Sequence, residues 1–324
     1  MALDVGTLKI QLKTAGIKLT KQQLKQVEIA AKKAGQSAKG MGSSFGAMAA
    51  KLGVATVGLM AMQKAIRGTI SVGMKFEQAM ANVKAISGAT GAEFKQLEAT
   101  AKALGASTKF TASEVAGLQT EFAKLGFTTK EIIGAQKATL SLAAATGTEL
   151  PRAAEVAGAT LRGFGIDAKD TSRVTDVMAL SFSKSALDME KFAESMKFVA
   201  PIAKSAGFSI EGTTAMIAQL ANVGIHGSLA GTALKNVFIK MADSGSALAK
   251  AFGGPVTSIA ELQPKLLELK EAGIGLTEAI ELTDKRSGAA FLTLVEGADD
   301  LDNLKEAFDG AAGSAQRMAE VQLD

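Results

Sequence analysis

The sequence predicts an all-α protein: a multi-helix stack of short Gly-punctuated helical hairpins, with a short N-terminal strand and a basic helical arm. Three observations lead there. Between Phe110 and Gly147, two helix-start signals and two helix-stop signals alternate within forty residues. Apolar residues recur at helical spacing, as in Phe192, Met196 and Val199. Glycine makes up 34 of 324 residues against only 4 prolines, and much of it falls where helices are predicted to end. A long uninterrupted rod would avoid it, since each interior glycine costs a helix about 1 kcal/mol relative to alanine.

Residues 1–44 read as a basic arm. Leu8, Ile10 and Leu12 alternate with polar residues at period two, the pattern of a half-buried strand. A lone strand needs a partner, so this segment either adds to a sheet edge on another chain or closes locally. From Thr20 to Ala34 the spacing of Leu24, Val27, Ala30, Ala31 and Ala34 suits a basic amphipathic helix. Residues 1–75 hold twelve Lys or Arg against Asp4 and Glu28, a balance of +10, and the remainder of the chain carries −6. A basic arm on a mildly acidic body is open to an acidic partner, anionic lipid or DNA, or is simply solvated.

Residues 45–75 read as an apolar, small-residue-rich helix. Gly42, Gly46 and Ala50 fall at four-residue spacing, which lets helix backbones approach closely and marks a possible membrane or helix-packing face. The uncharged run from Leu52 to Gln63 is shorter than the roughly twenty apolar residues a bilayer span requires. A buried or self-associating helix is the preferred reading, with membrane insertion of residues 42–66 as the rival.

Residues 76–253 form the predicted helical core. Thr111-Ala112-Ser113-Glu114 reads as a capping box, Gly126 stops its helix, Thr128-Thr129-Lys130-Glu131 opens the next, and Gly147 ends it. Helices follow at about 149–163, 170–184, 188–206 and 209–223. Pro201 either kinks the third of these or breaks it near Ala200. Gly126-Phe127, Gly163-Phe164 and Gly207-Phe208 hint at a period near forty, although an irregular compact stack is expected ahead of a regular solenoid. Gly227 and Gly231 are candidates for packing or assembly, because small residues one turn apart admit a neighbouring backbone. Gly253-Gly254-Pro255 marks the boundary to a C-terminal helical subdomain, residues 254–324. Its helices are predicted at 262–270, 277–282, 289–296 and 301–307, and its end is expected to continue in a longer parent.

The residue inventory argues against an enzyme. Cysteine is absent and His226 is the one histidine, which leaves no thiolate chemistry and little imidazole chemistry. Gly227-Ser228-Leu229-Ala230-Gly231 lacks the order of a nucleophile elbow. Gly163-Phe164-Gly165-Ile166-Asp167-Ala168 imitates a dinucleotide fingerprint but follows a predicted helix instead of a strand. Asp299, Asp300 and Asp302 do not fit a calcium loop, since Lys305 stands where glycine is needed and Ala311 where the bidentate glutamate belongs. No catalytic, cofactor or metal residues are assigned.

Phe76-Glu77-Gln78-Ala79-Met80, Thr108 to Val115, Leu161-Arg162-Gly163-Phe164-Gly165 and the stretch from Gly224 to Leu234 occur in an order that resembles the core region of phage tail tape measure proteins. The resemblance spans about Gly68 to Gly253 and continues more faintly to the C-terminus. It implies a structural protein in the lumen of the tail tube, which templates tail length and assembly and is released during genome ejection. Implied partners are the tail tube protein, tail assembly chaperones, tail tip or baseplate proteins and further copies of the chain, with the host membrane a contact on ejection. Implied locations are the virion tail and, during assembly, the host cytoplasm. The rival readings are a membrane-active ejection or pore protein and a helical scaffold or adaptor unrelated to phage.

Overall fold

The computed structural model describes residues 73–322, and all regular structure there is helical, with no strand among the described residues. The predicted strand at residues 8–13, the basic helix at 20–34 and the apolar helix at 45–72 lie outside the described residues. In chain order α1 covers 73–87, α2 Gly91–Ser107, α3 Ala112–Lys124, α4 Thr129–Thr146, α5 Leu150–Phe164, α6 Thr171–Lys184, α7 Met189–Ser205, α8 Ile210–Asn222 and α9 Ser228–Ala242. These are followed by α10 Ala247–Ala251, α11 Ile259–Glu271, α12 Leu276–Leu282, α13 Gly288–Glu296, α14 Ala298–Asp309 and α15 Ser314–Val321.

Local chemistry sets the ends of these helices. Thr111 and Thr128 both close capping boxes: the Glu114 and Glu131 amides donate to the threonine hydroxyls at 3.2 and 3.4 Å, and the threonine amides donate back to the carboxylates at 2.6 and 2.7 Å. Asp188 and Ser209 cap α7 and α8 through single side-chain bonds. At the other end of the hairpins, α3, α5 and α7 stop alike. Gly126, Gly165 and Gly207 take positive φ, and the amides of Phe127, Ile166 and Phe208 reach back to carbonyls five residues earlier. The recurring stop is therefore glycine followed by an apolar residue at 126, 165 and 207. Gly163-Phe164, grouped with them in the sequence reading, lies inside the last turn of α5. α7 runs unbroken through Pro201, so of the two alternatives at that residue the break near Ala200 does not occur.

Each hairpin stacks on the next. α3, α5, α7 and α9 lie side by side in one layer and α4, α6 and α8 in a second, and these helices touch their second neighbours along the chain more extensively than their hairpin partners. The regularity stops there. α14 takes the next place in the second layer beside α8, α11 packs on α14, α12 packs on α13, and α15 returns to lie on α4 and α6. From Lys75 onward the described residues form one compact unit, within which Gly253-Gly254-Pro255 is a loop. Phe122, Phe192, Phe238, Phe291 and Phe308 anchor the core, with alanine filling the close seams.

Candidate functional site

The contacts of greatest chemical interest are the seams between stacked hairpins. In the first layer, glycine admits a neighbour closely at successive interfaces, side chains at two of them and backbone at the third. A Cβ at Gly158 of α5 would lie 2.6 Å from Leu125 Cδ1, one at Gly163 would lie 2.9 Å from Ala200 Cβ of α7, and one at Gly231 of α9 would lie 2.4 Å from the Ser195 carbonyl oxygen. Real Cβ atoms do not approach backbone that closely, so Gly231 holds α9 against α7 at a spacing no other residue permits. Gly227 works differently. A Cβ there would meet Glu194 Cβ at 3.8 Å, an ordinary contact, and the constraint is its φ of +61°. Its carbonyl accepts from the buried Ser195 hydroxyl at 3.0 Å and from the Gly231 amide at 3.0 Å, tying the turn to α7.

Ion pairs join equivalent positions one hairpin apart. Arg152 of α5 makes a two-pronged contact with Glu190 of α7, Nε to Oε1 at 2.9 Å and Nη2 to Oε2 at 2.5 Å. The hydrogen bonds from Arg152 hold the Glu190 carboxyl below its ordinary value. In the second layer Arg173 of α6 grips Glu211 of α8 in the same way, at 2.6 and 2.7 Å. Glu211 is 5% exposed. Burial pushes its carboxyl up, but the Arg173 hydrogen bonds, its own backbone amide and the Arg173 charge outweigh that, and the group ends below its ordinary value. Arg162 of α5 closes the end of α3: Nη2 donates to the Gly126 carbonyl at 2.9 Å, and the guanidinium lies 3.9 Å from the centre of the Phe127 ring.

The fold also buries polar groups that periodicity alone does not reveal. Gln119, Gln136 and Thr100 share a hydrogen-bonded cluster between α2, α3 and α4, with the Gln119 amide donating to the Leu97 carbonyl at 2.9 Å and to Gln136 Oε1 at 3.1 Å. Asp176 of α6, 7% exposed, accepts from the Gly313 amide at 2.8 Å and the Ala315 amide at 2.9 Å at the start of α15. Arg162 falls in the Leu161–Gly165 segment that carries the family resemblance, without a role assigned to it there, and none of Arg152, Arg173, Asp176 or Glu211 stands out in the sequence. The available signal was the 38-residue separation of both Arg152–Glu190 and Arg173–Glu211, the length of one hairpin repeat.

The remaining sequence candidates do not converge. His226 is exposed in the turn before α9. Gly163 to Ala168 spans the end of α5 and the start of a 3-10 turn, with no preceding strand. Asp299 pairs with Lys270, and Asp299 and Asp300 occupy the first turn of α14, where the helix dipole favours negative charge. Leu8, Ile10, Leu12, Gly42, Gly46 and Ala50 lie outside the described residues. Among the described residues no group of three or more potential metal ligands occurs, and no helix is long and apolar enough to cross a membrane. A hollow of about 450 Å³ opens between Phe182, Leu187, Met189 and Met318, with Asp188 and Glu190 among its lining residues.

Among the described residues, seams, caps and inter-hairpin ion pairs define a layered helical stack held in register by its side chains. The chain belongs to the phage-related minor tail protein family, which matches residues 98–321. It is 32% identical to a protein named tape measure protein from Pneumococcus phage Dp-1, over 98% of this chain and 28% of that relative. It is 27% identical to a probable tape measure protein from Escherichia phage P2, over the whole of this chain and 43% of that relative. The chain thus spans less than half the length of either relative. No solved structure matches it significantly. A structural role in a phage tail follows from family membership.

Proposed function

We propose that residues 73–322 are the folded core of a tape measure protein that lies in the lumen of the tail tube, templates tail length during assembly and leaves ahead of the genome. The observation that carries this reading is similarity over essentially the whole chain to tape-measure-named proteins more than twice as long. The stack supports a division of labour. A helical ruler advances about 1.5 Å per residue, whereas residues 73–322 fold back on themselves every fifteen residues or so and do not measure in that way. The core is instead the anchor, and length belongs to helical segments elsewhere in the full-length protein. Its partners in this role are the tube protein, the assembly chaperones, the tip or baseplate and other copies of itself.

The test is tail length by electron microscopy after an in-frame deletion of about sixty residues from a helical region of the full-length protein outside this core. Shortening by roughly 90 Å is expected from helical rise. Intact tails of unchanged length would overturn the ruler-and-anchor reading.

A further inference from the structure

We propose that α15 is a clasp that keeps the C-terminal end of the stack from unravelling, and that its release is the first step of unfolding from that end. The topology carries the argument. The chain leaves α6, builds α7 to α14, and then returns so that α15 lies on α4 and α6. Three hydrogen bonds fasten it there. Asp176 accepts from the amides of Gly313 and Ala315, 137 and 139 residues later, and the Gln322 side-chain amide donates to the Ala145 carbonyl at 2.7 Å, 177 residues earlier. Ala315 and Ala319 form its own buried face.

In a stack whose members touch mainly their neighbours, opening starts at an end and propagates inward. Here the last described helix is tied back to the second layer at α4 and α6. While the clasp is closed, α11 to α14 are bounded on one side by α8 and on the other by a segment fixed to α4 and α6, and their opening must first break it. The two bonds break together: if α15 lifts, Asp176 loses both amide donors at once and exchanges two charge-assisted hydrogen bonds for water. The short connection Gly310-Ala311-Ala312-Gly313, with φ of +75° at Gly313, gives the clasp a pivot at its base.

Hydrogen exchange on the intact chain tests this. In Asp176→Ala, amides of α15 and of α11 to α14 are expected to exchange at least tenfold faster, while those of α7 and α9 keep the parent rate. Gln322→Ala, which touches only the far end of the clasp, is expected to give the same pattern with smaller factors. Faster exchange confined to α15 would make it an appendage and overturn the proposal. A uniform rise in every helix would overturn it too, by making Asp176 a general core residue. If Asp176→Ala does not fold, Asp176→Asn and Gln322→Ala decide, and unchanged exchange in α11 to α14 for both refutes the clasp.

Discussion

Gly231 shows how one missing atom can fix a packing distance. With the Ser195 carbonyl 2.4 Å from where a Cβ would sit, even alanine forces α9 away from α7, and the cost of such overpacking is about 1–3 kcal/mol. Gly231→Leu is expected to lower the melting temperature further than Gly231→Ala; a leucine variant that melts with the parent would refute the contact. Glu211 gives a pH signature at the same scale. Its folded-state value lies below the usual 4.5, so the stabilisation from the Arg173 pair is complete above the unfolded-state value and is lost as pH falls through the folded one. Glu211→Gln should therefore cost stability at pH 7, about 1–2 kcal/mol since Arg173 is half-exposed. Below about pH 4.5 the parent gives up this increment and the two melting curves should approach each other. A gap that stays constant down to pH 3 would show that the carboxylate charge is not what matters.

Helix boundaries were legible because their signals are local. The capping boxes at Thr111 and Thr128 and the stops at Gly126 and Gly147 are short-range patterns, and the predicted helices at 149–163, 170–184, 188–206 and 209–223 differ from the observed ones by at most one residue at each end. The five-residue α10 escaped because it is too short to show periodicity. Gly227 was read as a close-approach residue and turned out to supply a positive φ, a distinction that neighbouring residues do not encode. These elements carry measurable weight. Thr111→Ala removes the hydroxyl half of a capping box and is expected to cost about 1 kcal/mol in chemical denaturation. Lys270→Ala, which breaks an exposed pair with Asp299 between α11 and α14, should cost less than about 1 kcal/mol. The reverse ranking would mean that surface charge, not capping, sets the helix ends.

For the molecule as a whole, what the sequence hides is partnership. A period near forty is visible, but that each helix should prefer its second neighbour depends on side chains a full hairpin apart. The return of α15 depends on Asp176, which no local pattern distinguishes. The one compact unit from Lys75 onward predicts one transition for that unit: with residues 75–324 expressed alone, the helical signal of Gly231→Ala should fall in a single step, and its destabilisation should add to that of Thr111→Ala within about 0.5 kcal/mol. A second step in that melt would mean that the layers unfold separately.

The glycine seam between α7 and α9 has a mechanical consequence. Gly231 acts as a detent: sliding α9 along α7 would carry an adjacent side chain onto the Ser195 backbone, where there is no room for it. Tilting about the contact point disturbs far fewer atoms. The α7–α9 seam should therefore resist sliding more than tilting, so that a load along these two helix axes passes from one to the other instead of displacing them.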